Sequence, residues 1–391
     1  MLILHFSLTP LAGSPIRICR ALNMLESIES RLVLLDPKGY VDREHPIDLV
    51  WGCDNDEILD LLERADVIHL HNSLGLQSKQ FSPINFERYW QEGKPMVRQF
   101  HSTPNLVARM AKEDVSSVLS CPIPKVVISQ YPERFYENSR LVPNIVFDLE
   151  EFTALERDKN AIRIGYSPSN FRSSRSTRWD TKGYPETIKV LKSVIKKANS
   201  SGLNVELDII EQVTHAECLR RKALCDISID DLVTGSYHLS TLESLMLGSL
   251  AISFTDDRVQ NAIREISGRD DFPAVNVRLE DLEHVLSYLI ERPELVREIG
   301  SYSRQWMVRR WAPERMAQKF VGIYHEVISN PHASFPSRFS LRDDCGHFLN
   351  QGIYDILWES RHERWPKEIP KILKFLKSNV GSLVRRIGLR Q

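Results

Sequence analysis

Short apolar runs alternate with amphipathic segments through most of the 391-residue chain. In the first part of the chain, the apolar runs predict strands at 1–6, 31–35, 66–70, 95–100, 124–128 and 140–142. A second series of strands is predicted at 162–167, 204–210, 226–229, 250–254 and 273–277. Strands that alternate with helices form parallel sheets. The pattern therefore predicts an α/β protein with two doubly wound sheets.

A charged stretch at 148–160 separates the two series. One hydrophobic core stops growing at about 250–300 residues, so a chain of this length is expected to form two domains. We place a first Rossmann-like domain at 1–150, a second at 151–330, and a C-terminal segment at 331–391. In such sheets ligands bind beyond the carboxyl ends of the strands, so the loops that follow strands are the most informative.

Composition and charge exclude several classes of protein. The net charge is −1, and no sustained basic face marks a nucleic-acid-binding domain. The six cysteines show no metal-like spacing, which is typical of a reducing compartment. No uncharged run reaches the length of about 18 residues that a membrane-spanning helix needs. Because the first residues resemble a strand rather than a signal peptide, we expect a cytoplasmic protein.

Three loops of the first half carry candidate chemistry. In the loop at 7–17, Gly13 permits a tight turn before a helix whose free amides could face an anion; the alternative is an ordinary strand-to-helix turn. His69 and His71 share one face of a strand, but no third ligand lies near them in the sequence, so no metal site is predicted. His101 ends a strand, either as a site residue or as a buried core histidine.

The loop at 167–188 is the basic loop of the second half. It carries Arg172, Arg175, Arg178 and Lys182, and a Lys-Gly pair opens the helix that follows. Positive side chains beside a helix N-terminus suit a diphosphate, because charge, hydrogen-bond donors and the helix dipole act together there. The alternative is a disordered basic loop.

One carboxylate, Glu243, lies in the apolar segment 237–248. The apolar positions of this segment recur at the three- and four-residue steps of a helix with one buried face. An unpaired carboxylate close to that face would cost on the order of several kcal/mol. Glu243 therefore either points to water or contacts a polar partner.

Several segments, taken in order, resemble GT-B glycosyltransferases, and most of all the family-4, glycogen-synthase-like group. They are "DVIHLHNS", "FHSTPN", "VVISQYPERFY", "DTKGYPETIKVL", "HAECLRRKALCDISID" and "GSYHLSTLESLMLGSLAIS". The resemblance covers about residues 1–330. It implies two Rossmann-like domains that face each other across a cleft, a nucleotide-diphosphate sugar of the UDP type as donor, and no metal or other cofactor.

The resemblance also implies roles for residues of the donor site. Glu243 takes the place of the second glutamate of the family's Glu-x7-Glu pattern, which accepts hydrogen bonds from the ribose hydroxyls. We therefore expect Glu243→Gln to weaken nucleotide binding and, because the shape is retained, to keep the fold. The first glutamate of the pattern, near the sugar, has no counterpart, since Gly235 stands at that position.

Three further roles follow from the same resemblance. The diphosphate lysine corresponds to Lys182, and Arg172, Arg175 and Arg178 compete for the place of its arginine partner. The family's glycine loop corresponds to 12–14, which includes Gly13. The histidine that contacts the donor sugar corresponds to His101.

These features predict transfer of a sugar to a hydroxyl acceptor with retention of configuration, in surface polysaccharide or glycolipid synthesis. The alternative is a catalytically silent GT-B protein that binds a sugar nucleotide or a partner glycosyltransferase.

Residues 367–391 contain seven Lys or Arg and one acid, with apolar residues at helical spacing. This tail is predicted either to bind an anionic membrane surface, which favours a lipid-linked over a free glycan acceptor, or to pack on the first domain.

Overall fold

A computed structural model describes residues 1–37, 47–153, 155–168, 178–179 and 181–337. Residues Met1–Arg338 form one compact unit. Arg172, Arg175 and the basic tail at 367–391 lie outside the described residues, so the predictions made for them stay predictions. Among the described helices, none combines the length and the apolar character needed to cross a bilayer.

The first half of the chain forms a parallel sheet of seven strands. They are β1 (Leu2–Ser7), β2 (Glu29–Leu34), β3 (Leu49–Val50), β4 (Val67–His71), β5 (Met96–Phe100), β6 (Lys125–Ile128) and β7 (Ser139–Val142). Their order in the sheet is β3-β2-β1-β4-β5-β6-β7, so the winding reverses between β1 and β4. Every residue of β1, β4 and β5 is buried, as expected for strands covered on both faces.

The helices of this half connect the parallel strands. They are α1 (Ser14–Leu22), α2 (Asn55–Arg64), α3 (Phe86–Gln91), α4 (Pro104–Ala111) and α5 (Val115–Ser120). Their starts follow ordinary sequence signals, since α1 and α4 carry a proline in the first turn and the side chain of Asn85 accepts a hydrogen bond from the Arg88 amide at the start of α3.

The second half forms a parallel sheet of five strands. They are β8 (Ile162–Tyr166), β9 (Val205–Ile209), β10 (Ile227–Ile229), β11 (Leu250–Ser253) and β12 (Val275–Asn276). The order is β12-β11-β10-β8-β9, and the winding reverses between β8 and β10. The helices are α6 (Glu150–Thr153), which precedes this sheet, and α7 (Tyr184–Ser200), α8 (His215–Ala223), α9 (Leu239–Met246), α10 (Asp257–Ser267), α11 (Leu282–Ile290), α12 (Pro293–Arg310) and α13 (Pro313–Ser329).

The carboxyl edges of the two sheets meet. The Ser129 hydroxyl, just after β6, lies 2.7 Å from the Tyr237 hydroxyl in the loop after β10. The Tyr131 amide donates to the Ser236 hydroxyl at 3.1 Å, and Arg134 pairs with the Asp256 carboxylate at 2.9 Å. Two doubly wound domains therefore face each other, which confirms the fold predicted from the sequence.

Helix α13 packs against the first sheet. The Tyr324 hydroxyl lies 2.8 Å from Nδ1 of His69 on β4, and Arg140 on β7 pairs with Glu326 at 2.9 Å. The last described helix therefore fixes the second half of the chain to the first, and it covers buried polar groups of β4.

Candidate functional site

The winding of the second sheet reverses between β8 and β10, where α7 and α9 begin. Open α/β sheets bind ligands at such points. Gly183 precedes α7 with φ at 73°, and a Cβ there would lie 2.6 Å from Cγ2 of Val233 in the loop after β10. Glycine is therefore required at this position, and it lets the start of α7 approach the loop that leads to α9.

Lys182 lies between the starts of these two helices. Its Nζ donates to Nε2 of His238 at 2.9 Å, and His238 is the residue that precedes α9. An ammonium group only donates, so Nε2 of His238 accepts, and Nδ1 of the same ring lies 3.5 Å from the Asp230 carboxylate. The His238 amide donates to the same carboxylate at 3.1 Å. Asp230 thus holds His238, and His238 holds Lys182.

This arrangement is suited to an anion. The free amides at the N-terminus of a helix and its dipole attract negative charge, and an ammonium group adds to both. The other sequence-predicted cation of the described residues, Arg178, is exposed and pairs with Glu280 at 2.6 Å. The structure therefore places Lys182, and not Arg178, at the meeting of the two helices.

Glu243 is buried inside α9 and has two charged partners. The residue is 4 % exposed, and the ammonium of Lys222, a residue that is 3 % exposed, donates to Oε2 at 2.8 Å. His215 Nε2 lies 2.7 Å from Oε1. A carboxylate offers about four lone-pair sites, so Glu243 can still accept further hydrogen bonds. Glu243 does not point freely to water, and its partners within the protein are Lys222 and His215.

Neither partner was predicted from the sequence, although α8 carries a signal for them. His215 and Lys222 are seven positions apart and share one face of that helix. Because Lys222 is buried on α8, its ammonium group needs a buried carboxylate nearby. The sequence does not show that α8 packs against α9, and it is this contact that brings Glu243 to Lys222 and His215.

The Lys222–Glu243 pair makes stability depend on acid pH. Burial alone raises the pKa of the Glu243 carboxyl, but Lys222 and then His215 lower it further than burial raises it, and the pKa falls to about 2 from its ordinary value of 4.5. A depressed pKa stabilises the folded state above the unfolded value. This contribution is therefore complete above about pH 4.5 and is lost as the pH falls through about 2.

A cavity of about 300 Å³ lies beside Glu243. His215 and Glu243 line it from the second half of the chain, and Arg17 of α1 lines it from the first. Phe147 and Phe152, from the segment between the two sheets, add apolar surface. The cavity thus combines aromatic rings with charged groups from both halves.

Two predicted residues lie in loops at the carboxyl edge of the first sheet. Gly13 lies in the loop after β1 and precedes α1, and Arg17 of α1 donates to the Ala12 carbonyl at 2.9 Å. His101 follows β5 and is half-buried, and its amide donates to the side-chain oxygen of Asn72 at 2.9 Å. Burial, with a smaller contribution from Arg17, lowers the pKa of His101 to about 3, so the ring is neutral.

The structure explains why a glutamate is absent at position 235. Gly235 has φ at 75°, and a Cβ there would lie 3.0 Å from Oδ2 of Asp256. Asp256 is fixed in that place, because it pairs with Arg134 at 2.9 Å and accepts from the Val259 amide at 2.9 Å. A side chain at 235 would be strained at this φ and would press on Asp256, which joins the two halves.

No protein-family model matches this chain, and no curated protein does. Solved structures do match. An alpha-glucosyltransferase in complex with UDP and a 13-mer DNA is 12 % identical, with 83 % of this chain and 99 % of that one covered and a TM-score of 0.55. HepE of Anabaena in complex with UDP and glucose is 12 % identical, with 83 % and 100 % covered and a TM-score of 0.51.

A glycosyltransferase from Rickettsia africae is 12 % identical, with 84 % of this chain and 99 % of that one covered and a TM-score of 0.50. Likeness at such low identity shows the fold alone. The chain has the GT-B fold, which is the architecture that the sequence predicted. The family-4-like subgroup stays a prediction.

Proposed function

We propose that this protein is a glycosyltransferase that moves a sugar from a nucleotide-diphosphate donor to a hydroxyl acceptor. The main support is the position of Lys182. It lies where α7 and α9 begin, at the reversal of the second sheet, and His238 holds it there at 2.9 Å. Two helix N-termini and an ammonium group suit the diphosphate of such a donor.

The same groups account for the chemistry. When the bond between the anomeric carbon and the diphosphate breaks, negative charge grows on the leaving group. Lys182 and the helix amides stabilise that charge without a metal ion, and this kind of stabilisation is often the largest catalytic contribution. The nearest carboxylate to Gly235 is engaged with Arg134. We therefore propose that the acceptor oxygen bonds to the anomeric carbon on the face that the diphosphate leaves, while the leaving phosphate takes the proton of the acceptor hydroxyl; bonding on that face retains the configuration.

The donor nucleotide in this proposal is UDP. Two structural neighbours with TM-scores above 0.50, the alpha-glucosyltransferase and HepE, were solved with UDP. In this chain, the cavity beside Glu243 offers a carboxylate for ribose hydroxyls and the aromatic rings of Phe147 and Phe152 for a base. His101 and Gly13, in loops at the carboxyl edge of the first sheet, are proposed to face the sugar.

A panel of UDP-, GDP- and ADP-sugars tests the function. At least one UDP-sugar should raise the unfolding temperature, because a ligand at about 100 times its dissociation constant stabilises the native state by roughly 2.7 kcal/mol. The same sugar nucleotide should be consumed with release of UDP. Stabilisation without any turnover would favour the catalytically silent alternative, and a flat response to the whole panel would remove the proposal.

We further propose a lipid-linked acceptor at an anionic membrane, on the basis of the composition of residues 367–391. Each basic residue near such a surface contributes about 1 kcal/mol of binding. The protein should sediment with anionic and not with neutral liposomes at low salt. A full-length variant with Lys371, Lys374, Arg385 and Arg386 changed to Gln should lose this sedimentation and keep its response to UDP-sugar. If the unsubstituted protein does not sediment with anionic liposomes, the proposal of a lipid-linked acceptor is wrong and a free glycan acceptor remains.

A further inference from the structure

Three histidines form a connected series that leads from the core of the first sheet to its carboxyl edge. His5 on β1 and His71 on β4 are buried, whereas His101 after β5 is half-buried. Nδ1 of His5 lies 3.1 Å from Nε2 of His71, and Nδ1 of His71 lies 3.1 Å from Nε2 of His101. We call these residues the histidine chain.

Each ring of the chain carries a single proton. Burial lowers the pKa of His5 and of His101 to about 3, and it lowers the pKa of His71 well below its ordinary value. A neutral imidazole has one donor and one acceptor nitrogen. The two hydrogen bonds must therefore run in the same direction, either from His5 toward His101 or from His101 toward His5.

The inner end of the chain decides between these directions. Nε2 of His5 is buried and has no hydrogen-bond partner among the residues that the structure describes. If the bonds ran toward His5, its proton would sit on that nitrogen as a buried donor without an acceptor, which is rare and costly in proteins. If the hydrogen bonds run toward His101, Nε2 of His5 carries only a lone pair, and each of the three rings has its proton on Nδ1.

We infer that His5 and His71 are positioning residues that hold His101 in the tautomer with its proton on Nδ1. His101 then offers an N–H donor, and its Nε2 is occupied by His71. The ring can therefore donate a hydrogen bond to an oxygen, such as that of a sugar hydroxyl, and does not act as a base. The identity of that oxygen rests on the proposed function, whereas the tautomer rests on the histidine chain alone.

A metal site in the same place fits the geometry less well. His69 lies beside His5 and His71, with one nitrogen of each ring within 4.8 Å of the others, so the structure does supply the third histidine that the neighbouring sequence lacked. However, the ring of His69 stacks on those of His5 and His71 at 4.4 and 4.5 Å, with interplanar angles of 27° and 14°. Stacked rings direct their lone pairs side by side, whereas a zinc ion needs them to converge at about 2.0–2.1 Å.

Histidine tautomers can be read directly in the intact protein. Long-range proton–nitrogen NMR spectra of full-length, unliganded protein with ¹⁵N-labelled histidine should show His5, His71 and His101 protonated on Nδ1 and bare on Nε2. Single histidine substitutions assign the signals, and exposed His284 on α11 serves as the reference for exchange between tautomers. Protonation of His101 on Nε2, or one equivalent of zinc retained by the purified protein, would overturn the inference.

Two variants of His71 test its effect on turnover. His71→Phe removes the donor to His101 and should lower kcat for UDP-sugar about tenfold, the effect of one neutral hydrogen bond, with little change in the dissociation constant of UDP. His71→Asn places an amide N–H near the position of Nδ1 and should restore most of the loss. An equal loss in both variants would mean that His71 only packs.

The outcomes separate the inference from the function on which it builds. If His101 is protonated on Nδ1 but the protein turns over no sugar nucleotide, the inference about the histidine chain stands and the proposed role at a donor sugar is wrong. If the protein turns over a sugar nucleotide but His101 is protonated on Nε2, the proposed function stands and the inference about the histidine chain is wrong. Because the spectra are recorded on the unsubstituted protein, they decide the tautomer even if His71→Phe does not fold.

Discussion

Lys182→Ala should lower the turnover of UDP-sugar by about 10² to 10³, because removing one preorganised donor to developing charge has effects of that size. The ammonium group is the cation that the described structure places at the starts of α7 and α9, bonded to His238 at 2.9 Å. Initial rates of UDP release at saturating UDP-sugar measure the effect. The loss should lie in kcat, since the charge on the leaving group grows only as the bond breaks.

A matched control separates this effect from a general loss of positive charge. Lys192 is exposed on the same helix, two turns beyond the site, and Lys192→Ala should keep full turnover. Both variants should unfold at nearly the same temperature as the unsubstituted protein, because His238 stays bonded to Asp230 through its amide. If Lys182→Ala retains full turnover, the diphosphate does not bind at the N-termini of α7 and α9.

The sequence predicts the fold well because strand identity is a local property. Apolar runs such as "LILHFS" and "VIHLH" became β1 and β4, buried along their whole length. The exception is β3, which the sequence analysis missed, since a strand of two residues, Leu49–Val50, is too short to show a period. The doubly wound architecture then follows from general rules of parallel sheets.

The candidate site was predicted less completely because its key contacts join distant segments. His5 is hydrogen-bonded to His71 only because β1 and β4 are neighbours in the sheet, and the order of the strands cannot be read from the sequence of either segment. In the same way, the space at Gly235 is filled by Asp256 from another loop. The sequence was sufficient to name His101, after a strand, and Lys182, before a helix, as candidates, but their partners required the tertiary structure.

Glu243 shows how a tertiary contact changes an expectation. From the sequence, Glu243→Gln should keep the fold because the shape is retained. In the structure, that substitution leaves the Lys222 ammonium, 3 % exposed, without its carboxylate. Breaking a buried ion pair by removing one partner costs about 3–5 kcal/mol. We therefore expect Glu243→Gln to unfold at markedly lower denaturant than the unsubstituted protein, as equilibrium urea unfolding would measure.

This loss of stability would obscure any effect on nucleotide binding, and a second substitution removes the difficulty. In Lys222→Met/Glu243→Gln both buried charges are gone, and replacing a buried pair by neutral groups of similar volume is often neutral for stability. Urea unfolding should therefore return toward the unsubstituted value. Lys222→Met alone is the matched control, since it keeps the carboxylate and should be destabilised by the unpaired charge.

Affinity for UDP in the stabilised double variant then decides the role of Glu243. If its carboxylate accepts hydrogen bonds from the ribose, the double variant should bind UDP about ten- to a hundredfold more weakly in calorimetry, the range that a hydrogen bond to a charged group spans. Unchanged affinity would show that Glu243 serves only to neutralise Lys222. The carboxylate can serve both purposes at once, because its contacts to Lys222 and His215 use two of about four acceptor sites and the cavity opens beside it.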